Sequence, residues 1–227
     1  MAFNVVSKID DRIKIQNVLI STSNKEGLDS FVSELVSINP GVKIYSTGGT
    51  YSYIEKVLGE KSKTNLVSVS SYTKQPEMQG GLVKTLDYKI YLGLLSETYN
   101  DFHQSDIKRL EAISFDMVVV NLYPFKETIK NQSTTLENAR ANIDIGGPTM
   151  CRASAKNFIR VASVCNPSDY PSIINELKSN NCMLSYKTRF NLAKKSFAHT
   201  ADYDRAISDY LNNISDDEAA CVYSFAK

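Results

Sequence analysis

The sequence is short of several things, and each shortage excludes a class of protein. Net charge is one: 26 Lys and Arg stand against 25 Asp and Glu, for a formal +1. A protein that wraps a polyanion usually carries a strongly basic face. Nucleic acid is therefore not an expected partner, although a local basic pocket for one phosphate is compatible with a neutral total. Long apolar runs are another shortage. Nothing approaches the roughly 20 residues that span a bilayer, and the opening MAFNVVSKIDDRIKIQ lacks the apolar core of a signal peptide. The expectation is a cytoplasmic protein with no membrane partner. Cysteines are few. Cys151, Cys165, Cys182 and Cys221 form no CxxC pair and stand at no zinc-finger spacing to His103 or His199. Reduced, buried or half-buried thiols are expected, with no metal site. Repeats and low-complexity segments are missing as well.

What is present suits a globular fold. A chain of 227 residues buries roughly 70–75% of the surface its unfolded form exposes, enough for a core without disulfides or metal. The length fits one large or two small domains. Residues 17–20 (NVLI) read as a buried strand, followed by Leu28, Phe31, Val32 and Leu35 at helical spacing, with Ser23 or Asn24 as the cap. Residues 42–45 read as a second strand, leading through Ser46-Thr-Gly-Gly-Thr50 into a short helix. Further strands are expected at 66–69, at 117–120 after a helix over 105–112, and at 160–164 before another helix. Strands alternating with helices predict a mainly parallel sheet covered on both faces, a three-layer α/β/α arrangement. Beyond residue 164 the pattern changes. Ser185 can cap a long helix in which Phe190, Ala193, Phe197, Ala201, Ile207 and Leu211, with the polar Asp204 among them, keep roughly helical spacing. Residues 1–164 are expected to form the α/β core, and residues 165–227 a mainly helical extension packed on it.

Three of the expected strands end in polar or glycine-rich turns: Ser21-Thr-Ser-Asn-Lys25, Ser46-Thr-Gly-Gly-Thr50 and Asn121-Leu-Tyr-Pro-Phe125. Ligands of open α/β sheets sit outside the carboxyl ends of the strands, so parallel strands would gather these turns at one edge. Two glycines let the backbone approach an anion, and the helix that follows offers free N–H groups to a phosphate. Thr47 and Thr50 add hydroxyls, and Lys25 adds charge. For an isolated glycine pair, a plain strand-to-helix turn would be the better reading. Gly80-Gly81 permits a tight turn just before Lys84-Thr85. Asp144, set among isoleucines in Asn142-Ile-Asp-Ile-Gly-Gly-Pro148, is expected to be partly buried with a partner. A helix-capping or turn aspartate is an equal alternative. Arg152 and Lys156 fall on the helix expected after it, and an ordinary exposed basic face would explain both.

These segments together resemble the IMP cyclohydrolase domain, in most organisms the N-terminal half of a bifunctional purine-synthesis enzyme. The resemblance runs over about residues 17–211. It is carried by Ser21-Thr-Ser-Asn-Lys-Glu-Gly-Leu28, Ser46-Thr-Gly-Gly-Thr50, Pro76-Glu-Met78, Gly81-Leu-Val-Lys-Thr-Leu86, Val120-Asn-Leu-Tyr-Pro-Phe125, Asn142-Ile-Asp-Ile-Gly-Gly147, Arg152-Ala-Ser-Ala-Lys-Asn157 and Lys195-Ser-Phe-Ala-His-Thr-Ala201. It implies a methylglyoxal-synthase-like fold and the closure of 5-formamidoimidazole-4-carboxamide ribotide (FAICAR) to IMP with loss of water, a hydrolase-class reaction on a cyclic amidine, with no metal and no cofactor. By the same resemblance Lys84, Tyr123, Asp144 and Lys156 are catalytic. Ser23, Lys25, Thr47, Gly48, Gly49, Thr50, Thr85, Asn121, Ile145 and Gly146 contact the phosphate or nucleotide. The expected partners are the ribotide, its product, a separate upstream AICAR transformylase and a second copy of the chain as a homodimer.

The chain departs from the family in one stretch. Leu82 stands where the family has Arg, Asp87-Tyr88 where it has His-Pro, and Tyr91 where it has a second His. Lysine does not reproduce the donor fork of a lost arginine. A raised KM is expected, and Leu82→Arg should lower it in a steady-state assay. Two other readings share the fold: a methylglyoxal synthase acting on dihydroxyacetone phosphate, and a non-catalytic nucleotide-binding regulatory module.

Overall fold

The computed structural model describes residues 5–76, 84–131 and 133–226. The chain runs β1 (Arg12–Lys14), β2 (Asn17–Thr22), α1 (Leu28–Ile38), β3 (Lys43–Ser46), α2 (Gly48–Leu58), α3 (Ser62–Asn65), β4 (Leu66–Ser68), α4 (Val69–Thr73), α5 (Tyr88–Leu95) and α6 (Asp101–Arg109). It continues through β5 (Met117–Asn121), α7 (Phe125–Lys130), α8 (Leu136–Ala141), α9 (Gly146–Lys156), β6 (Ala162–Val164), α10 (Tyr170–Ser179), β7 (Met183–Ser185), α11 (Tyr186–Asn212) and α12 (Asp216–Ala220). Five strands form a parallel sheet in the order β4-β3-β2-β5-β6, and β1 pairs antiparallel with β7.

The apolar strands are buried on both faces, as a covered parallel sheet requires. Val18, Ile20, Met117 and Val119 pack with Leu28, Phe31 and Leu35 of α1 and Ile173 and Leu177 of α10. Their alternates Leu19, Val118 and Val120 pack with Ile90 and Leu94 of α5 and Met150 and Ala153 of α9. The period-two alternation of side chains along a strand thus splits the core into two halves. Strand order runs outward from β2 on one side and from β5 on the other, so the topological switch point lies between them, where α/β proteins bind ligands.

Three local expectations need correction. Neither Ser23 nor Asn24 caps α1, which starts after Gly27 in the left-handed region with no side-chain cap. Asn24 Oδ1 instead accepts from the Glu26 N–H at 2.9 Å in a turn of its own. The helix after Gly48 is not short: it runs eleven residues, because Thr50, Ile54 and Leu58 place one buried stripe at steps of four. The long helix does start at a Ser185 cap, whose hydroxyl accepts from the Thr188 N–H. Its inner face is another one, however: Arg189, Leu192, Ala193, Ser196, Thr200 and Tyr203 are buried, while Phe190, Phe197 and Leu211 are exposed. The polar members of that face are satisfied by partners that apolar counting does not see. Ser196 Oγ donates to the Ser163 carbonyl at 3.0 Å. Arg189, wholly inaccessible to solvent, donates to the carbonyls of Asp10, Asp11, Phe158, Ile159 and Leu184.

Residues 77–83 lie outside the described residues, and with them the expected Gly80-Gly81 turn and Leu82. Among the described residues no helix is long and apolar enough to cross a membrane.

Candidate active site

A cleft of about 380 Å³ opens at the carboxyl ends of β2, β3 and β5, with the 84–86 segment and the start of α9 as its other walls. All three polar turns contribute to it, through Ser23 and Lys25, through Thr47, Gly49 and Thr50, and through Asn121 and Tyr123. Lys84, Thr85, Asp144, Ile145 and Gly146 line it from the other segments.

Asn121, the last residue of β5, sits beside Thr22 across the ladder. Its Oδ1 accepts from the N–H groups of Ser23 at 2.6 Å and Asn24 at 2.9 Å, and its Nδ2 donates to the Asn24 carbonyl at 2.7 Å. The amide oxygen and one N–H are thus engaged in holding the turn after β2 against β5. Its contribution to a ligand is the placement of that turn.

Thr50 and Lys25 are similarly tied. Thr50 Oγ1 donates to the Thr22 carbonyl at 3.0 Å and accepts from the Thr22 N–H at 3.2 Å, joining the start of α2 to the end of β2. Lys25 Nζ donates to the Thr22 carbonyl and to Thr50 Oγ1. Burial lowers the Lys25 pKa, and no carboxylate pairs with it among the described residues. An ammonium held this way at a cleft wall, short of a counter-charge, favours an anionic ligand. Beside it, Thr47 takes the N-cap position of α2 in extended backbone without using its hydroxyl as a cap. The first N–H groups of the helix therefore remain available to an anion. Gly48, at φ 48°, is in the left-handed region, and a Cβ there would stand 3.1 Å from Lys84 Nζ. Glycine at this position serves both the turn and the lysine's seat.

The opposite wall carries the carboxylate. Asp144 Oδ1 accepts from the Gly147 N–H at 2.9 Å, in the first turn of α9. Gly147 must lack a side chain, since a Cβ would collide with the Asp144 carboxyl. Burial raises the Asp144 pKa, and backbone N–H groups of Gly147, Tyr123 and Gly146 pull it back in part. Both expectations for this residue hold at once, a turn aspartate at a helix start and a partly buried group facing a cleft. Tyr123 is half exposed and free to meet a ligand. Thr85 Oγ1 lies close over Gly146.

Lys156 is not brought to this cleft. It is the last residue of α9, exposed, ten residues beyond Gly146, or about 15 Å of helical rise. No ion pair joins it to Asp144 among the described residues. Asp87 and Tyr91 do not line the cleft either. Asp87 Oδ1 caps α5 through the Lys89 N–H at 2.7 Å, and Tyr91 packs against the core, where burial raises its phenol pKa. Residues that the sequence did not single out complete the lining, among them Ala141 and Met150. Their apolar character alone carried no signal of a site.

With that geometry in place, similarity to known proteins can be set beside it. The MGS-like domain family matches residues 27–149, and the AICARFT/IMPCHase bienzyme family matches residues 154–226. A bifunctional purine biosynthesis protein PurH of Neisseria meningitidis serogroup C is 47% identical over 203 residues, which is 89% of this chain and 37% of that protein. PurH of Polynucleobacter necessarius is 44% identical over the same shares. The chain thus spans little more than a third of the length of these curated relatives. The solved structure of ForH superposes with a TM-score of 0.70 at 23% identity, over 86% of this chain and 97% of that one, a likeness of fold.

Proposed function

We propose that this chain, which belongs to the MGS-like domain family, is an IMP cyclohydrolase that closes FAICAR to IMP in the cytoplasm. The observation that carries the reading is the meeting of Lys84, Tyr123 and Asp144 in one cleft whose far wall offers Lys25 and the open start of α2. That wall suits a ribotide phosphate, and the other three groups suit the reacting amide and formyl functions. The relatives' name, bifunctional purine biosynthesis protein, supports the same reading.

Both reacting groups belong to one substrate. The carboxamide nitrogen attacks the formyl carbon, and the formyl oxygen then departs as water, taking one proton from that nitrogen and one from the formamide N–H, whose nitrogen gains the ring's C=N bond. Alignment of such an intramolecular pair is worth roughly 7–11 kcal/mol, so folding the substrate into its cyclising conformer is the main task. Asp144, held by N–H groups on one side, orients the carboxamide and takes its proton. Lys84 and Tyr123 stabilise the charge that develops on the formyl oxygen, and one such donor typically contributes about 2.7–4 kcal/mol. Lys156 has no role in this scheme.

Adding the purified protein to FAICAR and following the ultraviolet absorbance of hypoxanthine formation tests the proposal. Lys84→Ala is expected to lower kcat by about 10²–10³-fold. Phosphate release from dihydroxyacetone phosphate would favour the methylglyoxal synthase reading. Tight IMP binding with no turnover would favour a regulatory module.

A further inference from the structure

Helix α11 reaches toward the cleft through Tyr203, a buried residue that does not itself line it. The Asp144 N–H donates to Tyr203 Oη at 2.8 Å, and the same hydroxyl donates to the Asn142 carbonyl at 3.4 Å. Its ring meets Phe125 edge-on, 6.2 Å between centroids, two residues beyond Tyr123. One side chain therefore touches two of the three segments that deliver a reacting group, those of Tyr123 and Asp144. The Asp144 residue is gripped twice, its carboxyl by Gly147 and its amide by Tyr203. A half-buried N–H deprived of its acceptor costs free energy until the backbone moves to find another.

We propose that Tyr203 is a positioning residue for the cyclisation: by pinning residues 142–144 to α11, its hydroxyl sets where the Asp144 carboxylate meets the carboxamide. This inference rests on the reading of Asp144 as a reacting group. It also gives the helical segment a part in the chemistry. The MGS-like match ends at residue 149, whereas Tyr203 lies inside the stretch matched by the bienzyme family. A phosphate-binding α/β domain becomes a ring-closing one, on this account, partly through a tyrosine contributed from outside the sheet.

Tyr203→Phe keeps the ring and removes the acceptor. The expected result is a kcat about 10- to 100-fold lower with KM essentially unchanged, since a small misplacement of a reacting group costs about that much. Carbon-13 NMR should also show the Asp144 carboxyl titrating nearer the ordinary range, because a loosened segment is better solvated. The titratable groups facing that carboxyl are Tyr123, Tyr203 and Cys151, with Lys84 across the cleft. Tyr210→Phe is the control: Tyr210 also packs on Phe125, at 5.8 Å, and its variant should leave both readouts unchanged. If Tyr203→Phe folds poorly, difluorotyrosine at the same position weakens the hydroxyl as an acceptor while keeping its shape, and an intermediate kcat is expected. A wild-type kcat in either variant overturns the proposal, and so does a lowered kcat with an unaltered Asp144 titration. A wild-type protein that fails to turn FAICAR over removes the cyclohydrolase reading instead, and the titration alone then decides whether Tyr203 places Asp144.

Discussion

Asp144→Asn is expected to lower kcat for ring closure by about 10²–10⁴-fold, the usual contribution of a positioned acid–base group, without loss of stability at pH 7. The amide can still accept from the Gly147 N–H, so the start of α9 is preserved. It cannot take a proton. The stability half follows from burial, which holds the carboxyl above its ordinary range more strongly than the N–H groups of Gly147, Tyr123 and Gly146 pull it down. Ionisation is then easier in the unfolded chain than in the folded one. The contribution of Asp144 to stability is complete below the unfolded pKa, about 3.9, and is lost as pH rises through the higher folded value. Asparagine never ionises, so at neutral pH the variant should melt at or above the wild-type temperature, and the two curves should converge as pH falls toward about 4. The wild-type kcat should in turn fall as pH drops through the raised pKa, and this acid limb should vanish from the variant's residual activity. Steady-state rates against pH and thermal melts against pH check both halves. A variant with wild-type kcat would remove Asp144 from the chemistry.

Arg189→Ala is expected to destabilise the fold by about 3–5 kcal/mol, because it strips the donor from several buried carbonyls at roughly 1–3 kcal/mol each. The corresponding drop in Tm is roughly 6–20 °C for a chain of this length. Among the described residues no carboxylate forms an ion pair with the guanidinium, although Asp11, Asp10 and Glu176 act on it from farther off. Its partners are five main-chain carbonyls, of Asp10, Asp11, Phe158, Ile159 and Leu184. These come from the N-terminal segment, from the stretch between α9 and β6, and from β7. A planar fork of five donors suits such a ring of acceptors, and the three donors of a lysine do not. Arg189→Lys should therefore recover only part of the loss. Because the site lies away from the cleft, variants that remain folded at 25 °C should keep wild-type kcat. Urea unfolding with an unchanged m-value and a lower midpoint would support this account. A midpoint within error of wild type would show that water replaces the side chain at little cost.

The parallel sheet was legible because its strands are continuous apolar runs separated by turn residues. Residues 117–120 are the clearest case, flanked by Asp116 and Asn121. The site's location was legible for a related reason, since strand ends in such a sheet fall on one edge whatever the loops contain. Side-chain roles were less accessible. Thr50 and Asn121 carry groups that a sequence reading offers to a ligand, and the fold engages both internally. The inner face of α11 was misread because three of its members, Arg189, Ser196 and Thr200, are polar and count against burial until their partners are known. Tyr203 went unnoticed for a geometric reason. Its significance is a bond to a main-chain N–H 59 residues away, and only the folded chain reveals that pairing. Lys156 shows the converse: family resemblance offers it to the site, and the fold leaves it exposed at the far end of α9, outside the lining of the cleft.

The bonds among Thr22, Lys25 and Thr50, together with the Asn121 clamp, have a consequence for affinity. These polar groups have protein partners of their own, so an arriving phosphate meets turns that the fold itself holds in place. Little of the binding free energy goes into ordering these turns, which is a usual drain on recognition of small anions. Preorganisation of this kind shows itself in kinetics: association should be a single fast phase, with no slow step for the walls to assemble.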